Sequence, residues 1–439
     1  MKQTKKIVIV GSGVSGISAA TKLIDNGYPG NLITIIDMGK DPYNRKPNEV
    51  MEGFAGAGGF SDGKLTYHHM IGGQLSKYCG KDKAYELMDQ SIDMWRRFHP
   101  DPSKIMYSNP TEEPDFIKPY FGLRLFGVYH IGTDYLHKIN KNWYQYLVDN
   151  GVHFEWETKV YSIDFDTKFI RAKDKYQQEV RLSYDELIFG VGKSGIDFGK
   201  SLAEQYDLPT EPKSVQIGVR FEAPQKHFQK LIDVSYDFKL YRKFDDKGVS
   251  LRSFCTNNNA AYVAVEETYG NYSYNGHAKK DEKYRNDMTN FGIIMEVNGI
   301  EDPFTWSRNL VKILQVDNKG LYYSPSRVPS YTSEGDFVEA YQIDRLGMDE
   351  VREVFEGYFG YIDDFIDGMK KIFPTLKDDW GMYIPEVKYL SPEPLVDYTN
   401  LALTKYPNVH FVGDALSARG ITVSGAQGIY VAEDILKFN

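Results

Sequence analysis

Lys6-Ile-Val-Ile-Val10, Gly11-Ser-Gly-Val-Ser-Gly16 and Ile17-Ser-Ala-Ala-Thr-Lys-Leu-Ile24 follow one another without a break and read as a strand, a glycine turn and a helix. Gly11 permits a tight turn, Gly13 lets the backbone approach a pyrophosphate, and Gly16 lets helix and strand pack closely. The helix start, with Val14 and Ser15 in its first turn, presents free N–H groups to phosphate. A second apolar strand, Leu32-Ile-Thr-Ile-Ile36, ends on Asp37. It lies about 20 residues past the last glycine, where a carboxylate can bond an adenosine ribose 2′-OH. Strand, glycines, helix, strand and acid in that order predict a dinucleotide site.

At 439 residues the chain is longer than a single core usually sustains, so two domains are expected. Its 41% hydrophobic and 26% charged residues are those of a soluble globular protein, and no stretch reaches the roughly 20 apolar residues of a membrane span. The four-residue apolar run before Gly11 is shorter than the core of a secretory signal, about 7–15 residues. Two cysteines, Cys79 and Cys255, make neither a disulfide framework nor a CxxC redox pair, which suits a reducing cytoplasm and requires any electron carrier to be bound. The nine histidines form no tight ligand motif, so no metal is expected. A net charge of −9 disfavours nonspecific attraction to nucleic acid. The oligomeric state is not readable, and a small-molecule substrate is the expected partner.

Further along, Gly53-Phe-Ala-Gly-Ala-Gly-Gly-Phe-Ser-Asp-Gly-Lys64 has so many glycines that backbone lying against a ligand is expected. Lys83 to Phe98 reads as an amphipathic helix, and a second helix follows Thr133 or Asp134 as N-cap and ends at Asn150-Gly151. Val152 to Phe165, Lys168 to Arg171 and Arg181 to Phe189 read as strands. Asp349 to Ile372 reads as one long helix, weakened by Gly357, Gly360 and Gly368. At the far end, Val409-His-Phe-Val412 leads into Gly413-Asp414 and then, through Gly420-Ile421, into a last helix. An Asp placed there can accept hydrogen bonds from ribityl hydroxyls, and the helix N-terminus that follows would face the pyrimidine edge of a flavin, favouring negative charge there. The cofactor expected on these grounds is FAD, with NADH or NADPH as candidate transient reductants.

The chain resembles the glutathione-reductase-like flavoproteins with two dinucleotide-binding domains, and within them a family of uncharacterised FAD-dependent (NAD/FAD-utilising) dehydrogenases. The match is carried by Ala55-Gly-Ala-Gly-Gly-Phe-Ser-Asp-Gly-Lys-Leu65, His130-Ile-Gly-Thr-Asp134, Ile217-Gly-Val-Arg-Phe-Glu222, Arg252-Ser-Phe-Cys255, Asn275-Gly-His277 and Gly413-Asp-Ala-Leu-Ser-Ala-Arg-Gly-Ile421. The resemblance implies that Gly58, Gly59, Ser61 and Lys64 lie along the ribityl chain and ring. It also implies an α/β fold, a Rossmann-like FAD-binding domain with a parallel sheet and a β crossover. That domain would be assembled from residues 1–75, 150–206 and 387–439 around a mixed α+β substrate or cap domain of residues 76–149 and 207–386. After Cys255 the family tends to show proline and glycine where this chain has Thr256-Asn-Asn-Asn-Ala-Ala-Tyr262, so shared substrate chemistry at that loop is not implied.

Other residues have two readings each. Gly190-Val-Gly192-Lys-Ser-Gly195 fits a second, nicotinamide-binding turn, or the return of the crossover to the FAD domain, with Gly190 and Gly192 passing the diphosphate or ribose and Val160 near the adenine. His130 suits a general base or a structural hydrogen bond, and Cys255 a flavin-facing thiol or a buried structural one. Arg220 and Arg252 suit a carboxylate clamp or an internal ion pair. Lys64, His130 and Arg419 are the candidate catalytic groups. The expected activity is hydride exchange between bound FAD and a small organic substrate at a domain interface; the alternatives are a flavin monooxygenase or oxidase, and a non-redox or nucleic-acid-modifying flavoprotein.

Overall fold

A computed structural model describes residues 5–46, 49–211, 213, 215–244, 248–268, 271–278, 285–326, 340–388 and 392–437. The chain divides into two compact units, Met1–Tyr107 with Val128–Pro212 and Ser391–Asn439, and Ser108–Gly127 with Lys213–Leu390.

The first unit is built on β1 (Ile7–Val10), whose four side chains are all buried, as a strand with neighbours on both sides and layers on both faces demands. Each such aliphatic side chain contributes about 1.5–3 kcal/mol by leaving water. The chain turns into α1 (Val14–Asp25) and returns as β2 (Ile33–Ile36), parallel to β1. Helices α2 (Lys81–Phe98) and α3 (Leu136–Asp149) then precede β3 (His153–Glu155), which pairs in parallel with β2. Strands β4 (Lys159–Asp164), β5 (Phe169–Lys173) and β6 (Glu179–Ser183) form an antiparallel meander. From it β7 (Glu186–Phe189) enters the main sheet parallel to β1. The hairpin of β8 (Ala402–Leu403) and β9 (Tyr406–Phe411) closes that sheet in the order β8-β9-β7-β1-β2-β3, and α4 (Ile421–Lys437) ends the unit. This is the expected α/β architecture with a parallel sheet.

Three expectations are corrected. Arg181 to Phe189 is two strands: the chain leaves the meander at Ser183 and joins a different sheet at Glu186. Residues 76–107 and 128–149, expected in the cap, belong to the first unit, because α2 packs on α4 and, with Trp95 and Phe98 against Trp143, on α3, and shares one apolar core with β1. Neither Thr133 nor Asp134 caps α3; a short 3-10 turn over Thr133–Tyr135 leads into it without a side-chain cap bond.

The second unit carries an eight-stranded, largely antiparallel sheet whose centre is Val215–Pro224, Met288–Val297 and Val249–Asn259, with Gly381–Lys388 on the other side of Val215–Pro224. Ile217, Val219 and Phe221 alternate onto its apolar face beside Ile293, Met295 and Phe291. The helix expected over Asp349 to Ile372 is two, Arg345–Val354 and Phe359–Ile372. Glu356 and Gly357 between them have φ +51° and +86°, the left-handed conformation that ends a helix and that Gly tolerates.

Candidate cofactor site

The glycine turn has the geometry its sequence predicts. Gly11 has φ +100°, and a Cβ built on it would lie 2.3 Å from the carbonyl oxygen of Gly190. A Cβ on Gly16 would lie 2.3 Å from Gly11 O and 3.0 Å from Ile9 Cγ2, so its absence sets how closely α1 lies on β1. At Gly13 the nearest atom to such a Cβ is Gly190 O at 4.0 Å, so the turn is open there. Gly13 is the N-cap of α1 with no side-chain acceptor, and the first turn carries no acidic residue. The helix thus begins with backbone donors and a positive dipole end that no side chain of its own neutralises.

The 53–64 segment lies directly against this turn. Ala55 N donates to Ser12 O at 2.8 Å, a Cβ on Gly56 would be 3.3 Å from Gly13 Cα, and one on Gly58 would be 2.6 Å from Val14 Cγ2 and 3.6 Å from Ile421. Asn140 reaches in from α3 to donate to Gly59 O at 3.1 Å. Arg45 clips the preceding loop, donating to Phe54 O at 2.6 Å, Val50 O at 2.7 Å and Glu49 O at 2.8 Å. Burial pushes its pKa down to about 10 against the opposing pull of Asp37, Glu52 and Glu49, so it stays charged at neutral pH.

Asp37 is a structural junction in this arrangement. Its Oδ2 accepts from Ser12 N at 2.7 Å and Ser12 Oγ at 2.8 Å, and its Oδ1 from Gly39 N at 2.8 Å and Gly53 N at 2.9 Å. One carboxylate therefore ties the glycine turn to the loop after β2 and to the start of the small-residue segment.

The late Gly413-Asp414 pair meets the same place through Ser15. A Cβ on Gly413, at φ +69°, would be 2.8 Å from Ser15 Oγ, one on Gly190 3.1 Å from that oxygen, and one on Gly428 of α4 2.0 Å from Ser15 O. Gln427 holds the turn, accepting from Gly413 N at 2.9 Å. Gly72 and Gly73 pack against Ala418 to Gly420, with Gly72 O accepting from Arg419 N at 2.8 Å and Gly420 N at 3.0 Å. Two buried polar atoms here have no hydrogen-bond partner among the described residues, Asp414 Oδ1 and Thr422 Oγ1 in the first turn of α4. Arg419 Nε is 3.3 Å from that same Asp414 oxygen. An acceptor and a hydroxyl left unsatisfied beside a bare helix N-terminus fit a polar chain and ring edge of a bound group.

The other residues singled out in the sequence fall as follows. Gly190 N donates to Val10 O at 2.9 Å, so the second glycine run abuts the first turn, while Gly192, at φ +64°, has no atom within 4 Å of a built Cβ. Val160 is half-buried on β4 and packs against the unit's core. Ser61 is half-buried, its hydroxyl bonded back to Gly58 O at 2.9 Å. Lys64 is buried in an ion pair with Asp62 at 2.8 Å. His130 is fully buried and its Nδ1 accepts from Gly132 N at 3.2 Å. Arg220 is committed to Glu386 and to three neighbouring oxygens, and Arg252 to Glu296 and Gln216. Ser12, Arg45, the Gly72-Gly73 pair, Asn140 and Gln427 were not anticipated; of these only the paired glycines carried a visible signal.

No protein-family model matches the chain, and no curated protein does. Among solved structures, a flavoprotein/dehydrogenase from Cytophaga hutchinsonii is similar over 98% of this chain and 79% of its own, at 11% identity and a TM-score of 0.39. The 2,6-dihydroxypyridine-3-hydroxylase of Arthrobacter nicotinovorans covers 100% of this chain and 84% of its own at 13% identity, TM-score 0.45. The halogenase PltM in complex with phloroglucinol and FAD covers 99% and 70% at 12% identity, TM-score 0.42. These are distant likenesses. No helix among the described residues is long and apolar enough to cross a membrane, and no group of three or more His, Cys, Asp or Glu there could hold a metal ion.

Proposed function

We propose that the chain is an FAD-dependent oxidoreductase acting on a small organic substrate. The observation that carries this reading is the convergence on Ser15, where an open glycine turn at one end of the sequence and the Gly413-Asp414 turn at the other meet, with Asp414 Oδ1 in an ion pair with Arg419 but making no hydrogen bond among the described residues. Bound there, FAD supplies a ring that takes up and returns two electrons with a proton. The first turn of α1 holds the diphosphate by its backbone donors, and the 53–59 backbone covers the chain that leads from it. Asp414 accepts from a ribityl hydroxyl, while the first turn of α4, with Thr422, presents donors and a positive dipole end to the ring edge. Arg419 adds a positive charge beside Asp414 and is the strongest of the three candidate catalytic groups. Lys64 is already neutralised by Asp62, and the His130 ring is held by the Gly132 amide.

The test is the visible spectrum of the purified full chain. Wild-type protein should retain or take up one FAD, and Asp414→Ala should weaken that retention about tenfold or more, the effect of deleting a charged hydrogen-bond partner. Cys255→Ser, in the second unit, should leave it unchanged. A colourless protein that gains no flavin spectrum on adding FAD refutes the proposal. Anaerobic titration with NADH and NADPH then shows whether a nicotinamide delivers the electrons.

A further inference from the structure

Three side chains of the second unit form a hydrogen-bonded chain of hydroxyl, imidazole and carboxylate. Thr375 Oγ1 lies 2.9 Å from His227 Nδ1, and His227 Nε2 lies 2.8 Å from Asp379 Oδ2. A carboxylate accepts and cannot donate, so Asp379 fixes a ring proton on Nε2. In the neutral ring Nδ1 is then the acceptor, and Thr375 donates its hydroxyl proton to it. A hydroxyl within reach of a base that a third group orients is the arrangement by which weak nucleophiles are activated.

The surrounding structure holds the three groups still. His227 ends the 3-10 turn Gln225–His227, which follows the central strand Val215–Pro224, and the next residue, Phe228, is fully buried. Thr375 and Asp379 lie in the turn after the helix Phe359–Ile372. That turn is fastened at both ends onto one aromatic core: Phe373 packs on Phe228 with ring centroids 4.8 Å apart, and Trp380 stacks on Phe221 at 5.4 Å. Within it Leu376 N donates to Phe373 O at 2.9 Å, Asp379 N to Leu376 O at 2.8 Å and Trp380 Nε1 to Lys377 O at 3.1 Å. Base and hydroxyl are therefore preorganised, with little ordering left for the moment of reaction.

Access differs along the chain of groups. Thr375 is exposed, so an electrophile meets its hydroxyl directly from solvent, whereas His227 is buried, keeping 7% of its surface. The amides of Thr375, Lys377 and Asp378 donate to no backbone acceptor among the described residues. Free amides next to a nucleophile are donors for the oxyanion that forms on an attacked carbonyl. At the other end, the mostly exposed Lys226 lies 3.8 Å from the same Asp379 oxygen, a surface pairing that solvent screens.

We propose that Thr375 is an acyl-acceptor site, activated by His227 and positioned through Asp379, that takes the acyl group of an activated carboxylic ester. Thr375 Oγ1 forms a bond to the carbonyl carbon while its proton passes to His227 Nδ1. The bond from that carbon to the leaving alkoxide oxygen then breaks, and the alkoxide takes the proton from Nδ1. The products are an acyl-threonine and an alcohol, no electrons are exchanged, and His227 returns to its neutral form. Asp379 orients the ring and steadies the imidazolium between the two steps. The site does not depend on the flavin reading above.

The test treats the full chain with p-nitrophenyl acetate, follows nitrophenolate release and maps the acetyl group by peptide mass spectrometry. Wild-type protein should release a burst of about one nitrophenolate per chain and carry the acetyl group on Thr375. Thr375→Val should abolish the burst, and Thr375→Ser should restore it. His227→Gln should slow acetylation about a hundredfold or more, the scale of general-base catalysis. Asp379→Asn keeps a side chain that still ties the turn to the ring, yet it should slow acetylation about tenfold or more, because an amide does not steady the imidazolium. Thermal unfolding shows that each variant is folded, and the peptide map of the wild type decides the matter without any variant. No burst from the wild type, acetyl groups on lysines or Cys255 with none on Thr375, or an unchanged rate in folded His227→Gln or Asp379→Asn protein overturns the proposal.

Discussion

Asp37→Ala separates two roles that the same residue can have. The sequence pattern makes Asp37 a ribose ligand, whereas the structure gives its carboxylate four donors of the protein itself, two from Ser12 and one each from Gly39 and Gly53. Hydrogen bonds to a charged group contribute about 1.5–3 kcal/mol each when well buried. Asp37 is half-buried, so about 1 kcal/mol per bond is the appropriate scale, and removing the carboxylate should cost roughly 4 kcal/mol. Asp37→Asn, which keeps one acceptor oxygen, should cost about half of that. The assay is urea unfolding of protein stripped of nucleotide, together with hydrogen exchange at the Gly39 and Gly53 amides. These should exchange at least about tenfold faster in the Ala variant, since 1.4 kcal/mol is a factor of ten. A stripped Asp37→Ala protein that unfolds within about 0.5 kcal/mol of wild type, with only its FAD affinity reduced, would refute the junction role and leave ribose binding alone.

Gly428→Ala places a methyl 2.0 Å from Ser15 O, backbone that cannot swing aside, so α1 and α4 must separate. We expect a loss of about 2–4 kcal/mol, measured by thermal unfolding, and loss of FAD retention with it. Burial raises the Glu186 pKa, but hydrogen bonds from His410 and Lys5 outweigh it and hold the group below its ordinary value. Because the folded carboxyl is the more acidic, its stabilisation is full above the unfolded pKa, about 4.3, and is lost as pH falls through the folded value. Glu186→Gln should therefore be less stable than wild type at pH 7 by about 1–3 kcal/mol, with the difference shrinking below about pH 4, in a series of thermal melts. A difference that grows on acidification would show that the pair does not hold the carboxylate.

Local pattern was enough for the first unit's frame. A strand buried on both faces must be continuously apolar, a helix packed tightly on it needs glycine at the contact, and both requirements appear in consecutive residues from Ile7 to Gly16. The same grammar at Val409 to Ile421 was legible for the same reason. Boundaries set by tertiary competition were not. Helix α2 has an amphipathic face that any large partner would satisfy, and only the folded chain shows that this partner is α4. Gly357 broke a helix that periodicity alone carried through, because the left-handed turn there is decided by the packing of both halves.

By itself, then, the sequence determined that glycines 11, 13 and 16 make a tight turn from β1 into a closely packed α1, since which residues tolerate close backbone approach is a property of the residues themselves. Tertiary structure alone decided that Ser15 gathers Gly190, Gly413 and Gly428 from segments about 175 to 410 positions further along. It also decided that Asp37 spends its lone pairs on the protein, and that Lys388 and Arg220 share a single carboxylate beside Phe254. Hydrogen bonds and charge balance are sums over neighbours, and the neighbours of these groups are far away in the chain.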